Sequence, residues 1–474
     1  NTGIVTMRRN VNIRRLDYVY WSSPMSAFAL SNVSPETIGY KWKWEPTLAS
    51  TVNNHGNWVA ANETMVRGKG YIVRGPNDYH TTTLQNYTAN FVGTPNNGTI
   101  TIPILRGTYD GANYNTGLST TLATKNDDNW NLLGNPYPSA ISADAFLGAN
   151  TNLAGFIKLW THGTLPSGAV SDPFYETFTI NYTVADYITY NALGGTQSGF
   201  DGSIAAGQGF FALMNHTSAS TTENVTFNNT MRSNAYRNDL FYRNSNVTNA
   251  LDKSRIWLNL VSPTNMGSTT LIGYAPEATN GLDRLFDAPA MDVKTNYELY
   301  SLSNSDKLCI QGRALPFDQN DEIPLGIKIA TAGIHIIAIS KVDGLFADEY
   351  QTIYLEDKLL NVIHDLRAAP YHFTTTTGIH DTRFILKYSN ETLGNEDFTT
   401  TNGVTVYTNN TINVTASSNI KSVTVYDVLG RTLETVRNVN NTNVSLNGIA
   451  KTQSALVVIV ELENNAILSK KIIF

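Results

Sequence analysis

Short runs in which apolar and polar residues alternate, each closed off by Gly, Asn or Pro, recur along the whole chain. Asp17-Tyr-Val-Tyr-Trp-Ser22, Gly70-Tyr-Ile-Val-Arg74, Gly98-Thr-Ile-Thr-Ile-Pro103 and Arg255-Ile-Trp-Leu-Asn-Leu-Val261 are examples. A period of two puts one face of a strand in a core and the other in water, and the punctuating residues supply turns. Composition points the same way. Of 474 residues only 15% are charged, and 41% are hydrophobic. Asn, Thr, Ser, Gly and Tyr replace the missing charges, and that mixture favours strands over helices. The expected fold class is all-β: multi-domain β-sandwiches ending in a small immunoglobulin-like C-terminal domain. Helix is expected only as a turn or two near Leu282–Phe286.

Three regions separate by pattern. Residues 1–235 read as a duplicated β-rich region, with units of about 1–105 and 106–235. The first half carries Trp21-Ser-Ser-Pro24, Gly68-Lys-Gly-Tyr-Ile-Val73 and Phe91-Val-Gly-Thr-Pro-Asn-Asn-Gly98; the second carries Leu133-Gly-Asn-Pro-Tyr-Pro138, Gly207-Gln-Gly-Phe-Phe-Ala212 and Phe227-Asn-Asn-Thr-Met231. Each Gly-x-Gly would admit a strand through a tight bend. Residues 253–392 read as a β-sandwich of seven or more strands, after a polar boundary near 232–252. A turn-rich linker at 389–402 precedes 403–474, read as a compact seven-strand sandwich.

The net charge of −6 gives no footprint for nucleic acid. The basic cluster Arg8–Arg9 with Arg14–Arg15 is expected to be a solvated strand flank. Cys309 is the single cysteine, so an internal disulfide is excluded, and alternation places it in a buried strand. No apolar run reaches the roughly 18 residues that span a bilayer as a helix. The chain opens at Asn1 in strand-like sequence without a leader, which reads as a processed or partial chain.

Chemistry-bearing motifs are absent: no Gly-x-Ser-x-Gly elbow, no His-Glu-x-x-His and no phosphate loop. The expectation is therefore a protein that is not an enzyme and needs no cofactor. Asp127–Asp128 and Asp318–Asp321 carry oxygen ligands that suit calcium, although Asp- and Asn-rich loops are more often plain turns. His364 and His372 lie near enough in sequence to meet across a hairpin, with a structural role the default. Six of the seven tryptophans fall before residue 161. Trp42, Trp44 and Trp58 are candidate glycan contacts by stacking; a tryptophan-rich core is the plainer reading, since Lys41-Trp-Lys-Trp-Glu45 sets two of them on one strand face.

At the C-terminus, Val423-Thr-Val-Tyr-Asp-Val-Leu-Gly-Arg431 is followed by Leu456-Val-Val-Ile-Val460, Ala466-Ile-Leu-Ser469 and Lys470-Lys-Ile-Ile-Phe474. In that order these segments resemble the sorting domain of the type IX secretion system of Bacteroidetes. The resemblance implies a secreted or cell-surface protein, exported through the periplasm by the outer-membrane translocon of that system and its shuttle protein. Tyr426, Asp427, Gly430, Arg431, Lys470, Lys471, Ile472, Ile473 and Phe474 would form the signal. The commoner form has Gly-x-Tyr before its penultimate strand, whereas this chain has Gln453-Ser-Ala-Leu-Val-Val458, which suits a variant subclass (type C-like) of flavobacteria. Asn131-Leu-Leu-Gly-Asn-Pro-Tyr-Pro138, Ala206-Gly-Gln-Gly-Phe-Phe211 and Gln311-Gly-Arg-Ala-Leu-Pro-Phe317 resemble segments of large flavobacterial surface proteins, some of them adhesins and gliding-motility proteins. Two functional expectations follow. One is a structural or adhesive β-domain array exported by this route, with surface proteins or surface polysaccharide as partners. The other is a secreted glycan-binding protein or hydrolase whose active part lies in 1–235 or upstream.

Overall fold

The computed structural model describes residues 3–48, 56–115, 122–163, 186–238, 253–264, 267–290, 297–390, 404–408, 411–452, 454–464 and 466–474. The expected linker falls mostly outside these residues. The chain is all-β, and it divides into two compact units, Asn1–Asn390 and Glu391–Phe474.

The first unit begins with six strands: β1 (Val5–Ile13), β2 (Tyr18–Trp21), β3 (Lys41–Glu45), β4 (Asn57–Ala60), β5 (Tyr71–Arg74) and β6 (Gln85–Gly93). β1 pairs with β6, and the others form a sheet in the order β2-β5-β3-β4. Setting two-residue strands aside, the next six are β7 (Ile100–Leu105), β8 (Trp130–Gly134), β9 (Leu153–Trp160), β10 (Tyr187–Asn191), β11 (Gly209–Met214) and β12 (Thr222–Phe227). β7 pairs with β12, and the sheet order is β8-β11-β9-β10. The two halves thus share one strand order: the first strand pairs with the sixth, and the second, fifth, third and fourth form the sheet. Alternation sets the faces. In β7, Ile100, Ile102 and Ile104 are buried while Thr101 and Pro103 are exposed. Pro103 is tolerated because this ladder has only two strands.

Contacts between the halves are reciprocal, as across an isologous dimer interface. Trp21 bridges Gln208 and Leu133 bridges Lys69. The Ser22 amide donates to the Gly207 carbonyl at 2.8 Å, and the Gly134 amide to the Gly68 carbonyl at 2.9 Å. Both acceptor glycines have positive φ, +84° at Gly68 and +70° at Gly207, which is the bend that admits β5 and β11. Ser22 and Gly134 meet where the halves cross: a Cβ added at Gly134 would lie 2.3 Å from that of Ser22.

One seven-residue α-helix, α1 (Ala143–Ala149), lies between β8 and β9, with Ser142 accepting the Ala145 amide as N-cap. The turn expected at Leu282–Phe286 is a single one, not extended into a helix, closed by the Phe286 and Asp287 amides on the Asp283 carbonyl. The basic cluster also differs from expectation. Arg8 is exposed, but Arg9 and Arg14 are buried. They are tolerated there because each guanidinium is satisfied: Arg9 by the Ala206 carbonyl, Arg14 by Asp17 and the His162 carbonyl.

The first unit continues with β13 (Ser254–Val261), β14 (Gly267–Tyr274), β15 (Glu298–Ser303), β16 (Asp306–Arg313), β17 (Glu322–Ile329), β18 (Gly333–Asp343), β19 (Tyr354–Asp357), β20 (Val362–Asp365), β21 (Tyr371–Thr375) and β22 (Gly378–Lys387). They form one sheet in the order β20-β19-β22-β17-β15-β16-β14-β13-β18-β21. Phe373 near one end packs on Phe384 near the other, with ring centroids 4.9 Å apart, so the sheet folds over a single core. This region shares a second core with the preceding half: Phe156, Leu193 and Leu213 pack with Trp257, Leu271 and Ile310. The Trp257 indole donates to the Gly195 carbonyl at 2.8 Å across that junction.

The second unit holds β23 (Thr405–Thr408), β24 (Ile412–Asp427), β25 (Thr432–Leu446), β26 (Ala455–Leu462) and β27 (Ile467–Ile473). The order is β23-β24-β26-β27, with β25 also on β24. These are five described strands rather than seven. β24 and β25 run for 16 and 15 residues, bending through register shifts where shorter strands separated by turns were expected. Val414, Val423, Val425, Leu456, Val458, Val460 and Phe474 are among its core residues.

Candidate functional site

Register places the tryptophans. In the first half Trp44 faces Trp58 across β3 and β4; in the second Trp160 faces Tyr187 across β9 and β10. Counting from the shared Gly-x-Gly, Trp44 and Trp160 are equivalent positions, as are Trp42 and Lys158, and Tyr40 and Phe156. Each indole of the equivalent pair reaches across to the other half. Trp44 donates to the Trp130 carbonyl and Trp160 to the Tyr18 carbonyl, both at 2.8 Å. Around them Tyr20, Leu132, Phe211 and Ile72 complete an aromatic seam. Trp44 and Trp58 stand edge-to-face at 5.0 Å, and Phe211 packs on both.

The two sides of the seam are unequally covered. Trp160 and Tyr187 are buried, whereas Trp42, Trp44 and Trp58 are half-buried. Phe156 is 2% exposed beneath the folded-over sheet, but its counterpart Tyr40 is 39% exposed, with the Arg74 guanidinium 3.3 Å from its ring centroid. Lys158 is buried above the Trp130 ring at 5.4 Å. Burial pushes its ammonium down to about 8, against the opposing pull of Cys309 and Glu298. Cys309 lies on β16 at this junction, and its thiol, which burial raises, donates to the Pro289 carbonyl.

The acidic candidates are engaged in local structure. Asp127 accepts the Thr124 amide at 2.7 Å. Asp128 is buried against Gly107, where a Cβ would fall 1.3 Å from its Oδ2. Asp318 accepts the Asn320 amide, and Asp321 takes the Arg313 guanidinium and the Tyr274 hydroxyl. Among the described residues no three His, Cys, Asp or Glu side chains are grouped as a metal site. His364 and His372 are not brought together by strand pairing: His364 is opposite Leu355 on β19, and His372 opposite Ile336 on β18. No helix among the described residues is long and apolar enough to cross a membrane.

In the second unit the Tyr426–Arg431 segment closes the β24–β25 hairpin. Asp427 shapes it. Its Oδ1 accepts the Leu429 and Arg431 amides, both at 2.9 Å, and its Oδ2 accepts Arg431 Nε at 2.7 Å. These bonds, the Arg431 amide foremost, hold the carboxylate below its ordinary range. Gly430 has φ +78° with no atom near a built Cβ, so glycine is required here by backbone angle and not by space. The terminal segment forms β27, where Lys470, Lys471 and Ile472 pair with Val458, Val457 and Leu456. The Ile473 side chain lies outside the described residues. Phe474 is buried, and its amide and carbonyl both bond to Ser454. Val428 and Leu429, which the sequence pattern leaves unspecified, are 69% and 76% exposed at the tip of the turn.

Among solved structures the chain is similar to PorZ, described as an essential bacterial surface component of the type IX secretion system of the human oral bacterium Porphyromonas gingivalis. Identity is 11% and the TM-score 0.14, over 62% of this chain and 42% of that one. The chain therefore spans less than half the length of that protein. No curated protein matches. Residues 393–474 match the family described as Domain of unknown function (DUF8694), beginning where the second compact unit begins. Residues 1–388 match Domain of unknown function (DUF8693), and the chain belongs to that family.

Proposed function

We propose that this chain is a non-enzymatic extracellular protein of the bacterial surface, exported by the type IX route, with residues 391–474 as the export address and the first unit as a structural or adhesive β-array. The observation that carries the reading is the second unit itself. The segments that resemble a sorting signal are the parts that build one separate fold: Asp427, Gly430 and Arg431 form its turn, and Lys470–Phe474 its last strand, with Phe474 in the core. An address presented as a self-contained unit can be recognised whatever precedes it. Its partners on this reading are the outer-membrane translocon and its shuttle protein. The test is to delete residues 391–474 in the exporting bacterium and fractionate the cells. Accumulation in the periplasm is expected; undiminished surface display would sink the reading.

One observation favours a second reading, glycan binding. Tyr40, Trp42, Trp44 and Trp58 stay partly open where their counterparts in the second half are covered, and open aromatic faces suit the apolar faces of sugars. A glycan array probed with the full chain, followed by tryptophan emission titrations, tests it. Binding to a defined polysaccharide that Trp58→Ala weakens would support it, and an array without hits would count against it.

A further inference from the structure

Lys158 is a buried cation without a counter-charge in contact. It is 3% exposed, yet among the described residues its ammonium takes part in no hydrogen bond and no ion pair. Its direct partner is a ring: Nζ stands 5.4 Å from the Trp130 centroid. Cys309 and Glu298 pull on the charge without pairing with it. A cation withdrawn from water in this way is costly. The fold does not require one here, because the equivalent position in the first half holds an indole, Trp42. The same spot borders the open side of the aromatic seam. Lys158 lies opposite Phe211 in the β9–β11 ladder, so the two side chains share a face. Around Phe211 stand the half-buried tryptophans, with Trp44 at 5.6 Å, Trp58 at 6.0 Å and Trp130 at 6.2 Å between ring centroids. The Trp44 indole is tied to the Trp130 carbonyl. One unpaired ammonium and three partly open indoles are thus gathered about a single ring. The net charge of −6 repels polyanions at long range, so a polyanion that binds must find a specific contact.

We propose that this site takes an acidic polysaccharide: a uronic-acid sugar stacks on the half-open indoles, and its carboxylate accepts a hydrogen bond from the Lys158 ammonium. The proposal rests on the glycan reading above and names the class of sugar within it. Stacking alone accepts any sugar with an apolar face. The ammonium adds the choice, since a carboxylate satisfies it and a neutral sugar leaves it without a counter-charge.

The experiment titrates pectate, alginate and hyaluronate into the full chain, each beside its carboxyl-reduced form, with tryptophan emission as the readout. At least one acidic form should bind at least about tenfold tighter than its reduced counterpart, the size of one hydrogen bond to a charged group. Lys158→Met should lose that difference and keep its melting temperature, because an apolar side chain of similar length replaces a buried, unpaired cation. Lys358→Met, which removes an exposed lysine just beyond β19, should bind as the parent does. Equal binding of acidic and reduced forms by the parent would overturn the proposal and leave the glycan reading standing, even if Lys158→Met proves misfolded. An acidic preference that survives in a folded Lys158→Met chain would overturn it as well. An absence of binding, both here and on the glycan array, would overturn both.

Discussion

His162 and Lys158 are buried titratable groups in the second half of the duplicated region, and their environments make opposite ends of the pH scale informative. Burial, with Arg14 nearby, pushes the His162 imidazole down to about 4, although the Asn12 carbonyl works against it. The unfolded chain therefore binds more protons than the folded one between about pH 6.5 and 4, and His162's contribution to stability is lost as pH falls through that window, by roughly 3 kcal/mol at most. Denaturant titrations at pH 7 and 4.5 should show His162→Gln losing less stability than the parent over that interval; equal losses would contradict the assignment. Lys158 behaves in the same sense at the alkaline end. With its ammonium lowered from 10.5 to about 8, the folded chain sheds its proton first, so stability rises with pH between about 8 and 10.5. That rise should be absent in Lys158→Met.

At the scale of elements, the seam makes a graded claim. Trp160→Ala empties a buried site and should cost about 3–5 kcal/mol. Trp44→Ala, at the equivalent but half-buried position, should cost clearly less in the same denaturant titrations. Equal costs would mean that both sides of the seam are closed in solution. The sequence made the strands legible because alternation is a local property, and the two Gly-x-Gly segments it displays stand at equivalent places in the two sheets. It did not reveal α1, whose Ala-Asp-Ala-Phe-Leu-Gly-Ala run is short; the available signal was Ser142 as N-cap with Asp144 in the first turn. Nor did it show that β24 runs on through Ser417–Asn419, since a bulge keeps polar residues in a strand where alternation alone reads a break. The exchange of Trp44 and Trp160 between halves depends on residues 86 and 142 positions apart, and no local pattern encodes that. Val428 and Leu429 are the two unspecified positions of a turn that Asp427 and Gly430 already mark in the sequence; their 69% and 76% exposure is what the sequence did not show.

For the whole molecule, two compact units with separate cores imply two cooperative transitions. Calorimetry of the full chain should show them, and Phe474→Ala, expected to remove about 3–5 kcal/mol from the smaller core, should lower only one. A single transition shifted as a block by that substitution would argue that the units fold as one. The central claim is that the smaller unit is an address, and sufficiency tests it most directly. Residues 391–474 are fused to a carrier that otherwise remains in the periplasm of the exporting bacterium, and the carrier is measured at the cell surface and in the medium. Transfer across the outer membrane is the expected result. A carrier that stays in the periplasm with the intact unit attached would contradict it.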